Sequence, residues 1–288
     1  MSEIIRTENL SYTYSAGMPF ESAALDHVSV SVEEGTFLGL IGHTGSGKST
    51  LIQHLNGLLK PDSGKVYIGG EDIWKEPKNI RRFRFKVGLV FQYPEYQLFE
   101  ETVRKDIAFG PRNMGLSEPE IEERVLEAAQ LVGLPEQYLE KSPFELSGGE
   151  KRRAAIAGVL AMRPEVLILD EPTAGLDPRG RERILGEIAE YHDRYRATII
   201  LVSHSMEDVA RFADHVLILD HGRAVLYGTA REIFGRVEEL EGMGLEVPQI
   251  SRVFAGLAKL GIPVPESVLT VAEAKEAVLG LLREGGGV

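Results

Sequence analysis

Cysteine is absent from the chain, which excludes a disulfide framework and a thiolate metal site and fits a reducing compartment. Also missing is any apolar stretch near the roughly 20 residues needed to cross a bilayer. The opening Met1-Ser2-Glu3 has neither the basic nor the apolar region of a secretory leader. A chain that is soluble by itself, and that reaches a membrane only through a partner, is the expectation. Basic charge is in deficit: 32 Lys and Arg face 44 Asp and Glu, for a formal net charge of −12. This argues against a long nucleic-acid footprint, because phosphate neutralisation by Lys and Arg dominates such binding. A compact phosphate ligand, held by local amides, one lysine and a metal ion, is unaffected by the global charge. Disorder is not expected of 288 residues that are 43% hydrophobic. That length accommodates one large domain or a domain with an appendage.

What the chain does contain is three short segments with chemistry. The first, Gly42-His43-Thr44-Gly45-Ser46-Gly47-Lys48-Ser49 followed by Thr50, is a P-loop. Its consecutive backbone N–H groups wrap a polyphosphate, and the helix that follows adds its positive N-terminus. Lys48 is placed to reach the outer phosphates and Ser49 to hold Mg²⁺. The second is Leu146-Ser147-Gly148-Gly149-Glu150, and the third is Val166-Leu167-Ile168-Leu169-Asp170-Glu171-Pro172. The last of these sets two carboxylates at the end of a buried strand. Asp170 suits Mg²⁺, directly or through water, and Glu171 suits the orientation and deprotonation of an attacking water.

The order of elements predicts an α/β fold with a mainly parallel sheet. Phe37 to Ile41 is an apolar run ending in the glycine loop, and Ser49 to Leu59 then has a helical pattern. Val87 to Phe91, Val166 to Leu169 and Thr198 to Val202 are β-rich and nearly continuous in apolar character, as strands covered on both faces are. Helical patterns at Glu118 to Val132 and Pro178 to Tyr195 alternate with them, which places ligands at the carboxyl ends of the strands. Ile4 to Tyr14, Ala24 to Val32 and Lys65 to Ile68 have the alternation of antiparallel strands. Val216 to Leu219 and Ala224 to Tyr227 flank Asp220-His221-Gly222-Arg223 as a hairpin. The core is expected to stop near Gly228, making residues 1–228 a nucleotide-binding domain, with a helical subdomain at about 93–162, and 229–288 an extension.

In that extension, helices are expected at Pro248 to Leu260 and Val271 to Arg283. The second opens on a capping box, Thr270 to Glu273. It sets Val271, Ala274, Val278, Leu281 and Leu282 mostly along one stripe that calls for burial, on this chain's own core or in a dimer. Glu284 to Val288 is expected to fray. The basic cluster Arg81-Arg82-Phe83-Arg84-Phe85-Lys86 is expected to be a solvated or partner-facing surface.

Ser147, Gly148 and Gly149 open a basic helical stretch and would make a second anion site on a chain that already has one. Taken together, the three motifs and their spacing resemble the ATP-binding cassette (ABC) family over about residues 4 to 228. The resemblance implies a mainly parallel P-loop domain with an antiparallel β subdomain and a helical signature subdomain. It also implies that Ser147, Gly148 and Gly149 close over ATP held by a second subunit. By the same resemblance Tyr14 stacks on adenine, Gln92 senses Mg²⁺ and water, and Ala174-Gly175-Leu176-Asp177 passes between subunits, giving Asp177 a contact in trans. His204 is then the switch that meets the γ-phosphate.

No long coiled-coil arm separates Lys48 from Ser147, as it does in the repair and chromosome members, and only one cassette is present, unlike the translation factors. Phe91-Gln92-Tyr93-Pro94-Glu95-Tyr96-Gln97-Leu98-Phe99 resembles the glutamine loop of energy-coupling-factor (ECF) importer ATPases, where the Tyr93 position is commonly Asn. Leu146 to Gly158 and the helical tail are similar to those ATPases as well. This resemblance implies an ATPase on the cytoplasmic face of the cell membrane, bound peripherally. Its implied partners are a second ATPase subunit, identical or paralogous, an integral membrane coupling protein and a substrate-binding membrane protein for vitamins or transition-metal ions. The alternatives are the ATPase of another ABC importer class and a soluble regulatory ATPase that remodels a partner with the same dimer switch. Retention at the membrane by integral subunits separates the transport readings from the last.

Overall fold

The structure, a computed structural model, describes residues 2–265 and 267–285. Its strands are β1 (Glu3–Tyr14), β2 (Ser22–Val28), β3 (Ser31–Glu33), β4 (Phe37–Ile41), β5 (Ser63–Ile68), β6 (Glu71–Asp72), β7 (Val87–Val90), β8 (Val166–Asp170), β9 (Thr198–Val202), β10 (His215–Asp220) and β11 (Arg223–Thr229). Its α-helices are α1 (Lys48–Leu55), α2 (Ile80–Lys86), α3 (Val103–Asn113), α4 (Glu118–Leu131), α5 (Gly148–Leu160), α6 (Pro178–Tyr195), α7 (Met206–Phe212), α8 (Ala230–Phe234), α9 (Val237–Gly242), α10 (Gln249–Lys259) and α11 (Val271–Gly285).

One sheet runs β11-β10-β4-β9-β8-β7. It is parallel except for the β10–β11 hairpin. Because successive side chains of a strand point to opposite faces, each of its apolar strands feeds two cores. Leu167, Leu169, Ile199 and Leu201 enter one; Val166, Ile168, Ile200 and Val202 enter the other. The glycine within β4 has a packing reason. A Cβ at Gly39 would stand 2.3 Å from Val209 Cγ1, so only a bare backbone admits α7 at this distance. A second, antiparallel sheet, β2-β1-β5-β6 with β3 also on β1, covers the face that holds α1.

Helices α3, α4 and α5 pack on one another as a helical layer between β7 and β8 in the chain. Their starts are written locally. Thr102 accepts a bond from the Lys105 N–H at α3, Ser117 and Glu120 form a capping box at α4, and Ser147 and Glu150 form another at α5. At α6, Asp177 caps and Pro178 follows.

Several elements differ from the expectations. The first helix ends at Leu55 rather than Leu59, and the stretch Ala24 to Val32 breaks into β2 and β3, with Ser29 and Val30 outside either strand. The basic cluster at 81–86 lies on α2 with Arg81 and Arg82 exposed, consistent with the expected solvated surface, while its charges also find partners within the chain. Arg81 donates to Asn113, Arg82 pairs with Glu71, Arg84 donates to the Gly57 carbonyl and Lys86 pairs with Glu165. Past Gly228 the apolar packing continues without a break, since Phe234, Leu240, Leu245 and Val247 join the same core as β9. Helices α10 and α11 meet over a separate small cluster of Phe254, Val268 and Ala274. Of the α11 stripe only Ala274 is fully covered; Val271 is 76% exposed, and Val278 and Leu282 are exposed too. The expected frayed end falls partly within α11, which extends to Gly285, and its residues 286–288 lie outside the described residues.

Candidate active site

Four parallel strands deliver the site. β4 runs into the Gly42–Ser49 loop, β8 ends at Asp170, β9 leads through Ser203 to His204, and β7 leads through Phe91 to Gln92. Their carboxyl ends open on one cleft of about 420 Å³. It is lined by Tyr14, Thr44, Gly45, Gly47, Lys48, Ser49, Thr50, Gln92, Asp170, Glu171 and His204, together with Ser22 to Ala24 and Val202. A volume of this order is that of a small-molecule ligand site. Of the residues expected around a nucleotide in one subunit, the structure brings nearly all together.

The loop closes tightly on its surroundings. A Cβ at Gly42 (φ 151°) would stand 2.2 Å from the Leu219 carbonyl oxygen, and one at Gly47 (φ 101°) 2.4 Å from that of Ala24. Both positions need glycine for conformation and for room. The turn of the β10–β11 hairpin braces the loop from behind, the Gly222 N–H donating to the Ser46 carbonyl at 3.1 Å. His43 points away from the cleft, and its Nε2 donates to the Met243 carbonyl at 2.8 Å, which ties the phosphate loop to the C-terminal extension. The sequence carries no signal for a contact between residues 200 positions apart.

Lys48 folds back over the loop, donating to the carbonyls of Gly42 at 2.6 Å and His43 at 2.8 Å. Burial pushes its ammonium below the usual lysine range, against the pull of Glu171 and Asp170. Ser49 Oγ donates to Asp170 Oδ2 at 3.2 Å. Burial raises the Asp170 carboxyl, with the Ser49 bond and the Lys48 charge opposing. Asp170 and Ser49 are the adjacent oxygen donors in the cleft. No group of three or more His, Cys, Asp or Glu capable of holding a metal occurs among the described residues. That donor set fits a hard cation that keeps waters and shares phosphate oxygens, as Mg²⁺ does, and does not fit an all-protein metal cage.

Glu171 occupies the left-handed region, with φ 50°, directly after β8. A non-glycine residue there is held against its preference by its neighbours. Its N–H donates to the Val202 carbonyl at 3.0 Å, and its carbonyl accepts from the Ala174 N–H at 3.1 Å. The turn delivers a carboxylate whose Oε1 is buried without a hydrogen-bond partner and lies 3.5 Å from His204 Nε2. Burial, then the neighbouring Asp170 charge, pushes its pKa up to about 7. Burial and the Lys48 charge hold the His204 imidazole below its ordinary range, so it is mainly neutral near pH 7. Side by side stand a base poised near neutrality and a neutral imidazole.

Tyr14 lies at the cleft mouth, 39% exposed, its hydroxyl 3.3 Å from Thr50 Oγ1 and its ring edge-on to Tyr12. Ser147, Gly148, Gly149 and Asp177 are not among the cleft's lining residues. Ser147 Oγ donates to Glu150 Oε2 at 2.7 Å and receives the Glu150 N–H at 3.4 Å, while Asp177 receives the Gly180 N–H at 2.7 Å. Both therefore serve as helix caps in the single chain.

A model of the ABC transporter family matches residues 25–174. This chain is a member of the ABC transporter family. Among curated proteins it is 58% identical over 279 residues to the energy-coupling factor transporter ATP-binding protein EcfA2 of Caldanaerobacter subterraneus subsp. tengcongensis, covering 97% of this chain and 98% of that one. The protein of the same name from Clostridium tetani is 56% identical, with 96% of each chain covered. Among solved structures, cbiO1 from Clostridium perfringens, described as part of the ABC transporter complex cbiONQ, matches with a TM-score of 0.75 and 39% identity. The match covers 88% of this chain and all of that one. The cassette MJ0796, solved as a dimer in a post-hydrolysis state bound to ADP and Pi, matches with a TM-score of 0.72 and 28% identity, covering 79% and 99%. The cassette fold expected from the motifs is the fold observed, and the resemblance to the energy-coupling-factor ATPases extends over nearly the whole chain.

Residues that the motifs did not reveal also shape the site. Asp106 on α3, mostly buried, accepts the Phe99 and Glu100 N–H groups at 3.2 Å each and holds the segment after Gln92. Arg152 looks from the sequence like one more surface charge in Lys151-Arg152-Arg153, yet it is buried. Burial of an arginine is decided by what packs around it, which a single sequence does not display.

Proposed function

We propose that this ABC ATPase is the ATP-hydrolysing, energy-coupling subunit of an importer of the energy-coupling-factor type, working as a dimer around two ATP molecules on the cytoplasmic face of a membrane. The observation that carries the reading is the cleft itself. One chain supplies a phosphate loop, an acidic pair and a histidine, while its signature loop stands outside that cleft and presents a capped helix terminus instead. A second ATPase subunit, identical or paralogous, supplies the missing wall, with its Ser147, Gly148, Gly149 and Asp177 equivalents covering the γ-phosphate. Residues 1–228 form the cassette, about 93–162 its signature subdomain, and 229–288 an extension suited to dimer contacts.

In this mechanism Tyr14 stacks on adenine, and the loop amides from Gly42 to Thr50 cradle the phosphates. Lys48 exchanges the Gly42 and His43 carbonyls for phosphate oxygens, a change from neutral acceptors to charged ones that strengthens its bonds. Ser49 and Asp170, with Gln92 beside them, would hold Mg²⁺, which when bound neutralises phosphate charge. Glu171, with its pKa near 7, takes a proton from the attacking water, and His204 holds the γ-phosphate in line. Breaking the β–γ bond leaves two anions where one ligand bridged two subunits, and the dimer opens.

The motion leaves the cleft through Gln92. An apolar groove beside it, lined by Phe85, Leu98, Phe99, Phe109, Val159 and Met162 among others, suits a cytoplasmic helix of a membrane coupling protein. Tyr96, 85% exposed, stands at the adjoining turn. No described helix is long and apolar enough to cross a membrane, so the chain needs such a partner to act there. Vitamins or transition-metal ions are the cargo class, bound by a separate membrane protein.

The decisive experiment is affinity purification of the tagged protein from gently solubilised native membranes. Recovery with a small coupling membrane protein, with or without a second ATPase, is expected. A conventional permease pair would move the chain to another importer class, and soluble companions alone would overturn transport. Substituting Tyr96 or Phe99 should spare hydrolysis by the isolated subunit and weaken coupling in the assembly; equal loss in both would place these residues in the catalytic core.

A further inference from the structure

Arg152 stands five positions after Ser147, in the helix that Ser147 caps, and the hydrolytic mechanism makes no use of it. It is 3% exposed. Its guanidinium is divided among segments distant in sequence. Nε donates to Glu95 Oε2 at 3.0 Å and Nη2 to Glu95 Oε1 at 2.8 Å, a forked charged pair. Nη1 donates to the carbonyls of Ala174 at 2.6 Å and Pro172 at 3.4 Å. The Tyr93 ring lies 5.8 Å from its Cζ.

Each of those contacts has a distinct destination. Glu95 belongs to the turn Pro94–Gln97, between Gln92 at the nucleotide cleft and Leu98 and Phe99 at the apolar groove. Pro172 and Ala174 follow directly on the strained Glu171 and lead to Leu176 and Asp177. A buried charge keeps its partners because nothing else there can solvate it. A guanidinium also holds them in one plane at set angles, which an ammonium cannot do. If any one of the three segments moves, the others must follow or charge-assisted bonds break in a low-dielectric setting.

We propose that Arg152 is a positioning residue that fastens the backbone after Glu171 to the Gln92–Phe99 segment and to the signature helix. Placement of the catalytic carboxylate, the shape of the partner-facing groove and the aim of the signature loop then change as one unit. The proposal rests on the ATPase and membrane-coupling reading above.

The test uses the full-length protein and three variants. Glu95→Gln breaks one side of the fork without touching the backbone near Glu171. Arg152→Lys keeps the charge and loses the plane. The double variant Arg152→Met, Glu95→Met removes both charges at similar volume, so stability can return without the tie. Glu95→Gln is expected to speed amide exchange at Ala174 and Leu176, which bond to Glu171 and Thr173, by about five-fold or more, a loosening carried from the Glu95 carboxylate through Arg152 to the Ala174 carbonyl. ATP turnover is expected to fall about ten-fold in Arg152→Lys and in the double variant, with KM for ATP changing by less than about two-fold, as misplacement of a catalytic group would produce.

Wild-type turnover in a stably folded double variant, or in Arg152→Lys, would overturn the proposal. So would unchanged exchange at Ala174 and Leu176 in Glu95→Gln. Should the wild-type protein hydrolyse no ATP, the ATPase reading fails; the exchange measurement still decides the tie.

Discussion

Two glycine-rich loops of this chain open helices, both proposed above to meet phosphate, and they are finished to different degrees. Gly42–Ser49 is enclosed. Its glycines press against the backbone of β2 and β10, its lysine is buried, and two carboxylates and a histidine face it across the cleft. Ser147–Gly149 is open. Its serine is consumed by its own capping box, and Gly148 has nothing within 4 Å of the place a Cβ would occupy. One loop has everything except a cover, and the other is a cover without a ligand. In the proposed dimer, the difference makes catalytic competence a property of a pair of chains, each completing the other's site.

The largest effect expected from breaking the comparison lies in the enclosed loop. Lys48→Ala should abolish productive ATP binding, with a loss of about 3 kcal/mol or more for a buried charged hydrogen-bond donor. Titration calorimetry checks this, and near-normal affinity would show that the amides suffice. Glu171→Gln comes next. Turnover should fall by about 10²–10⁴-fold, the range of general-base catalysis, while ATP binding persists and a long-lived ATP dimer accumulates on size exclusion. Cycling at the wild-type rate would mean that another group is the base.

The same carboxylate sets a pH dependence with a definite sign. In the fold its pKa stands at about 7, above the ordinary 4.5. Between these values the folded state binds more protons than the unfolded one, so this group's contribution to stability falls as pH rises through that window. The shift corresponds to roughly 3 kcal/mol once the carboxylate is ionised. Glu171→Gln, permanently neutral, should therefore melt higher than wild type at pH 8 and gain much less at pH 5. Comparison with wild type cancels Glu187, whose buried carboxyl is also raised to about 7. As the base must be ionised to act, wild-type kcat/KM should climb with pH through about 7 in the same protein.

Sharpening the comparison needs the open loop. Ser147→Asp retains an excellent N-cap, so the melting temperature should change by no more than ~2 °C. In the proposed dimer the added negative charge would face the partner's phosphates, and the ATP dimer formed in a Glu171→Gln background should be lost. Retention of that dimer would confine Ser147 to capping. The smallest effect is expected at the tether from the phosphate loop to the extension. His43→Ala removes one exposed hydrogen bond to the Met243 carbonyl and should cost no more than about 1 kcal/mol. Differential scanning fluorimetry reads that shift.

Much of this architecture is legible in the sequence because it is locally encoded. Continuous apolar runs mark β4, β8 and β9, glycine spacing marks the phosphate loop, and Asp177-Pro178 marks the start of α6, which begins and ends where the pattern places it. Helix α3 and the short pieces α8 and α9 are less evident, since their apolar residues are too few per turn to stand out before packing selects them. The extension's attachment to the main core also escapes the reading. Composition shifts after Gly228, but Phe234 and Leu240 are recognisable as core only once α8 lies against β10, β11 and α7.

The sequence by itself determined the chemistry on offer: a phosphate loop, an acidic pair after a buried strand, a histidine after the next strand and a signature loop. Residue type and spacing suffice for that, because backbone amides and neighbouring carboxylates act over a few residues. Only the tertiary structure decided what those groups became. It placed Glu171 in a left-handed turn against Val202 and raised its pKa, buried Arg152 against two segments distant in sequence, and left Ser147 outside the cleft. Burial and long-range pairing depend on which strands and helices meet, and those energies are set across the fold rather than along the chain.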